Sequence, residues 1–193
     1  MNKTKNETAK KAALDFHEFP KPGKLEIRAT KPLANQSDLA KAYSPGVAEA
    51  CLEIKKNNKK SGSYTSKSNL VAVISNGTAV LGLGDIGPLA SKPVMEGKGL
   101  LFKIFADIDV FDIEIDTKNI DEFIETVKNI SPTFGGINLE DIKAPEAFEI
   151  ERRLVDELDI SVRIHEYAGK IICPGFVDTH VHYPQLAIIA SYG

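Results

Sequence analysis

Cysteine is scarce. Cys51 and Cys173 are the only two in 193 residues, and two thiols cannot build a disulfide framework or a four-cysteine zinc site. Long apolar runs are missing as well, and none reaches the roughly 20 residues of a bilayer-spanning helix. The chain offers no secretory signal at its start, because Met1 to Lys11 is polar and lysine-rich with no apolar stretch behind it. Nor is there an excess of positive charge. The formal net charge is −3 and the pI about 5.8, whereas a nucleic-acid binder usually carries a basic stripe. What remains is 42% hydrophobic and 26% charged, an ordinary globular composition with enough chain for a core in one domain or a little more. The expectation is a cytoplasmic enzyme or binding domain, with no nucleic-acid and no membrane partner.

Apolar spacing and punctuation predict alternating elements. A helix is expected over Asn6 to Phe16. Ser37 is placed to cap a second helix from Asp38, and Ser44-Pro45 to open a third, with Val47, Cys51 and Ile54 as its apolar stripe. Residues 57–68 read as a polar loop. Leu70 to Ile74 and Thr78 to Leu83 read as strands joined by the turn-forming pair Asn76-Gly77. Next come a helix over Pro93 to Phe105, a strand over Ile108 to Ile115, and a helix in which Ile120, Phe123, Ile124, Val127 and Ile130 recur at helical spacing. Gly136 to Leu139 is a short strand, and Pro145 opens a helix ending near Asp159. This alternation predicts an α/β fold, a mostly parallel sheet flanked by helices. After Val162 the character changes, and a chain that stops just beyond the apolar stretch Leu186 to Ala190 looks cut.

Several residues are candidates for chemistry. Gly82-Leu83-Gly84-Asp85-Ile86-Gly87 fits a dinucleotide-binding turn. Pro88 and Pro93 stand where an uninterrupted helix start is wanted, and the ribose-binding acid about 20 residues on is not in place; a structural turn is the alternative. Glu140 and Asp141 sit side by side at a strand end, where two hard carboxylates suit Mg²⁺ or Mn²⁺ and where Asp141 could equally cap the next helix. Lys98, between Gly97 and Gly99, is a candidate base or a solvated lysine, and Tyr43 a candidate acid or a packing residue. Asp107, Asp109, Asp112, Glu114 and Asp116 alternate with apolar residues and read mostly as the polar face of a strand. His180 and His182, at i and i+2, can face one metal ion.

From about Ala13 to Val162 the chain resembles the N-terminal domain of bacterial-type malic enzymes. The likeness rests on Leu14 to His17, Ala42-Tyr43-Ser44-Pro45-Gly46-Val47-Ala48-Glu49, Leu70 to Gly99, and above all Phe134-Gly135-Gly136-Ile137-Asn138-Leu139-Glu140-Asp141-Ile142. The resemblance implies Tyr43 as proton donor, Lys98 as general base and substrate contact, and Glu140 and Asp141 as ligands of a divalent cation. It implies oxidative decarboxylation of (S)-malate to pyruvate and CO2 with reduction of NAD or NADP, the nicotinamide being bound mainly by a later domain. It also implies a homo-oligomer.

Residues 163–193 depart from that pattern and resemble the start of guanine deaminases in the amidohydrolase superfamily. Gly169-Lys170, Pro174 to Gln185 and Ser191-Tyr192-Gly193 carry this second likeness. It implies zinc or iron on His180 and His182 and a purine contact at Gln185; Glu166 falls near the place of a third malic-type carboxylate. The sequence therefore reads as chimeric and truncated, divided as 1–162 and 163–193, with a loosely held tail. Taken as written, it is expected to lack turnover for want of a cofactor domain. The rival readings are a deaminase fragment with a foreign leader and a non-catalytic dimerising remnant.

Overall fold

The computed structural model describes residues 2–158 and the backbone of a two-residue strand at 188–189. His180, His182, Gln185 and Glu166 lie outside the described residues, as does the proposed junction near Val162.

The centre is β1 (Leu70–Ser75), whose six residues are all buried. A run of β-branched and apolar residues without polar alternation suits a strand covered on both faces. β2 (Asp109–Glu114) and β3 (Gly136–Leu139) pair with it in parallel on either side, Val73 standing opposite Asp112 on one and Asn138 on the other. β4 (Ile188–Ile189) adds an antiparallel edge to β3, giving the order β2-β1-β3-β4.

The helices divide between the two faces. α5 (Pro88–Ala106) links β1 to β2 and packs Met95 against Val71, Val73 and Val110. α6 (Ile120–Ile130) links β2 to β3, and α7 (Glu146–Glu157) follows β3. These two bury Phe123, Ile124, Val127, Ile150 and Leu154 against Leu70, Ala72 and Ile74. Alternate residues of β1 thus serve opposite cores, as the two-residue period of a strand requires.

Four helices precede the sheet: α1 (Asn2–Glu18), α2 (Gln36–Ala42), α3 (Val47–Lys56) and α4 (Ser61–Tyr64). Here several boundaries differ from the expected ones. Asn35, not Ser37, caps α2, its side chain accepting from Asp38 N at 2.9 Å. α3 starts at Val47 with Gly46 as cap, rather than at Pro45. The junction is tight: Gly46 N donates to Ala40 O at 2.7 Å, and a Cβ at Gly46 would stand 2.6 Å from that oxygen. Residues 44–46 are therefore spent on the turn. The stripe Val47, Cys51 and Ile54 is not a core stripe, since α3 buries none of its residues. Residues 57–68, expected as loop, instead hold α4 and the greater part of the two 3-10 turns that flank it, Asn58–Lys60 and Ser66–Asn69.

The expected strand over Thr78 to Leu83 does not form; only the bridge Val80 to Gly84 does. Positive φ at Gly77, Leu81, Gly82, Gly84 and Gly87 curls the chain back on itself. Gly77 O accepts from both Ile86 N and Gly87 N at 3.1 Å, and a Cβ at Gly77 would lie 2.2 Å from Gly87 O. The glycine-rich stretch closes as a loop and leads straight into α5. Pro88 does not obstruct that helix. It occupies the first turn, where its missing N–H has no partner to lose, and Pro93 lies inside the helix.

Candidate active site

The chain leaves β1 toward α5 on one face and leaves β3 toward α7 on the other. These diverging exits make the carboxyl ends of two neighbouring parallel strands a topological switch point, the usual ligand position in open α/β sheets. Side-chain hydrogen bonds tie this edge together. Ser75 Oγ accepts from Gly77 N at 2.9 Å, and Thr78 Oγ1 donates to Asn76 Oδ1 at 2.7 Å while accepting from Lys143 N at 3.0 Å. Ala79 N reaches Asp141 O at 3.0 Å, so the segment after β1 and the end of β3 are one unit.

Glu140 sits at this edge. Its N–H continues the ladder by donating to Ile74 O at 2.9 Å, and its side chain is only 9% exposed. Gly136, Asn138 and Glu140 share the face covered by α5, while Ile137 and Leu139 turn toward α6 and α7. Lys98 comes from α5. Helical side chains lean toward the helix N-terminus, which directs this lysine toward the carboxyl ends of the strands. Its Nζ stands 2.8 Å from Glu140 Oε1, and Asn138 Nδ2 donates to the same oxygen at 2.9 Å. Asp141 follows with φ 51°, a left-handed conformation open to Asp at modest cost. Tyr43 lies elsewhere, between α2 and α3, 72% exposed. Among the described residues no hydrogen bond joins its phenol to the Lys98–Glu140 pair.

A second lysine–carboxylate cluster occupies the opposite side of β1 under α5. Asp112 and Glu114, read from the sequence as the polar face of a strand, are only 11% and 13% exposed at their side chains, because α5 covers that side of β2. Asp107 and Asp109 do stay exposed, pairing with Lys103. Lys92 bonds Asp112 and lies 3.6 Å from Glu114 and 4.0 Å from Glu96. Burial opposes the Lys92 charge, but Asp112, Glu114 and Glu96 outweigh it and raise its pKa. For Glu114, burial first and the Asp112 carboxyl second push the pKa up to about 7. Its Oε1 is buried without a hydrogen-bond partner among the described residues. The sequence reading missed this cluster; the signal available was an acid pair at i and i+2 opposite a lysine in the preceding helix.

A mostly parallel sheet flanked by helices, with an ion-paired lysine and adjacent carboxylates at the carboxyl ends of its strands, defines a protein of the α/β class. The family described as the malic enzyme N-terminal domain matches residues 22–120 and 117–155, and the chain belongs to it. It is 66% identical over 163 residues to the NADP-dependent malic enzyme of Escherichia coli K12, covering 84% of this chain and 22% of that protein. It is 66% identical over 160 residues to the NAD-dependent malic enzyme of Rhizobium meliloti, covering 83% of this chain and 21% of the relative. Among solved structures, the malic enzyme of Pyrococcus horikoshii superposes with a TM-score of 0.76 at 53% identity, over 78% of this chain and 35% of that one. The chain spans about a fifth of the length of these curated relatives, at 21% and 22%.

Proposed function

We propose that this chain is the N-terminal catalytic portion of a malic enzyme, converting (S)-malate to pyruvate and CO2 while NAD or NADP is reduced. The observation that carries the reading is the Lys98–Glu140 pair, 2.8 Å apart at the carboxyl edge of the sheet. The names of the relatives supply the substrate. Lys98, as the neutral amine, takes the proton of the C2 hydroxyl as hydride leaves C2, and the ammonium it becomes then lies against a substrate carboxylate. Tyr43 returns a proton to the carbon that has lost CO2.

Glu140 and Asp141 present neighbouring hard oxygens. No group of three His, Cys, Asp or Glu suited to a metal occurs among the described residues. Mg²⁺ and Mn²⁺ accept one or two protein carboxylates with water and substrate completing the shell, so the pair fits. Bound there, the cation would supply Lewis acidity to the oxygen of the ketone formed at C2. The nicotinamide would supply the hydride acceptor, and none of the described residues is assigned to hold it.

The division into residues 1–162 and 163–193 is part of the proposal, with His180 and His182 as metal ligands of a deaminase-type piece. A homo-oligomer is supported by exposed apolar side chains on and around the first two helices, among them Leu14, Phe16, Phe19 and Leu39.

Since the chain by itself is expected to lack turnover, the test is Lys98→Ala in this chain joined to a malic-enzyme cofactor domain, assayed for malate-dependent reduction of NAD and NADP with Mn²⁺. We expect kcat to fall roughly a hundred- to ten-thousand-fold. An unchanged kcat would remove Lys98 from the mechanism. Guanine-to-xanthine turnover in place of malate turnover would favour the deaminase reading.

A further inference from the structure

A glutamate carboxylate turns about a broad terminal torsion, so the plane of the Glu140 carboxylate could take a range of rotations against Lys98. Asn138 removes that freedom. It lies on the strand interior, 5% exposed, between Ile137 and Leu139, where burying an amide is costly unless it is hydrogen-bonded. Its place two residues before Glu140 puts both side chains on the α5 face. Because a carboxylate only accepts, the amide must present its NH2 group, and it does so at 2.9 Å to Oε1, the oxygen that Lys98 also reaches at 2.8 Å. Two converging donors occupy the lone pairs of one oxygen. Oε2 is then the oxygen that remains for a cation. The amide is neutral, so it orients the carboxylate without competing for its charge.

We propose that Asn138 is a positioning residue: by holding Glu140 Oε1 toward Lys98, it turns Oε2 outward for the divalent cation. The inference rests on the reading of Glu140 as a metal ligand, and the test separates the two. Mn²⁺ alone is titrated against the full-length protein, with free Mn²⁺ followed by its electron paramagnetic resonance signal. Three forms are compared: wild type, Asn138→Leu and Glu140→Gln. We expect Asn138→Leu to weaken Mn²⁺ binding about 10-fold or more, the usual effect of losing a hydrogen bond behind a metal ligand, and Glu140→Gln to weaken it at least as much. In turnover by the chain joined to a cofactor domain, Asn138→Leu should raise the KM for Mn²⁺ more than it lowers kcat. A merely structural role would lower the melting temperature and leave Mn²⁺ affinity in place.

If Asn138→Leu binds Mn²⁺ within two-fold of wild type while Glu140→Gln does not, the positioning role is wrong. If Glu140→Gln binds Mn²⁺ normally, the metal reading of Glu140 fails and Asn138 has nothing to position. Should Asn138→Leu not fold, Asn138→Ala removes the same donor without placing an alkyl group against the carboxylate, and the same outcomes apply.

Discussion

Residues 70–157 and the helices that precede them are built on different terms. In the first region β1 is buried throughout, α5 covers one face, and α6 with α7 covers the other. In the second, neither α2 nor α3 has a buried residue, and Phe16, Phe19, Ile27 and Leu33 are each more than 60% exposed. The sheet region holds its elements by packing between them. The leading helices are held by caps and junctions such as Asn35 to Asp38 and Gly46 to Ala40, and they leave apolar surface uncovered. Helix stability in proteins comes mostly from packing an amphipathic face, so this contrast locates where the fold is strong. It also separates two proposed roles: Lys98 and Glu140 belong to the packed region, and Tyr43 to the exposed one.

The sharpest way to break this comparison is a matched pair of truncations. Phe123→Ala, at 0% exposure in the α6 core, should cost about 3–5 kcal/mol. Leu39→Ala, at 49% exposure on α2, should cost under about 0.5 kcal/mol, as surface substitutions usually do. Urea unfolding of both variants decides it, and equal losses would mean that α2 is as firmly packed as α6.

A second test lies within the packed region, where buried charge works against stability. The folded chain holds the Glu114 proton up to about pH 7, whereas an unperturbed glutamate releases it near 4.5. Between those values the folded state binds more protons, so stability falls as pH rises. At 1.36 kcal/mol per unit, the loss reaches about 3 kcal/mol by neutral pH and then levels off. Urea melts at pH 4.5 and 7.5 should show that Glu114→Gln lacks this part of the slope; matching slopes in the two proteins would refute it.

The smallest expected effect separates two kinds of glycine in the loop before α5. Gly82→Ala meets only the left-handed backbone, with nothing within 4 Å of the new Cβ, and should cost about 1 kcal/mol. Gly77→Ala meets both that backbone and a 2.2 Å approach to Gly87 O, and should exceed it by at least about 1 kcal/mol. Thermal melts of the two variants measure the difference, and similar melting points would mean the loop yields without cost.

The legible parts of the chain were those with one local cause. α6 runs from Ile120 to Ile130 as its apolar period predicts, and β3 from Gly136 to Leu139 as its short apolar run predicts. The alternation of elements correctly indicated a parallel sheet flanked by helices. Thr78 to Leu83 misled because its valine and leucines look like a strand, while the glycines around them impose positive φ that no local apolar pattern reveals. Asp112 and Glu114 misled because alternation marks two faces of a strand without saying which of them a helix will cover.

The candidate site shows the same division. Sequence alone determined the residue types: a lysine set between glycines, and two adjacent acids at the end of a short strand. Local propensity and two-residue periodicity act over a few positions, and that is sufficient to place Lys98 on a helix and Glu140 at a strand terminus. Tertiary structure alone decided that Lys98 and Glu140 meet at 2.8 Å across 42 positions of sequence. It also placed Asn138 on the same oxygen and drew Lys92 over the Asp112 and Glu114 carboxyls on the far side of β1. Those contacts depend on which face of the sheet α5 covers, and that is set by the combined burial of Val71, Val73, Met95 and Val110 rather than by any one segment.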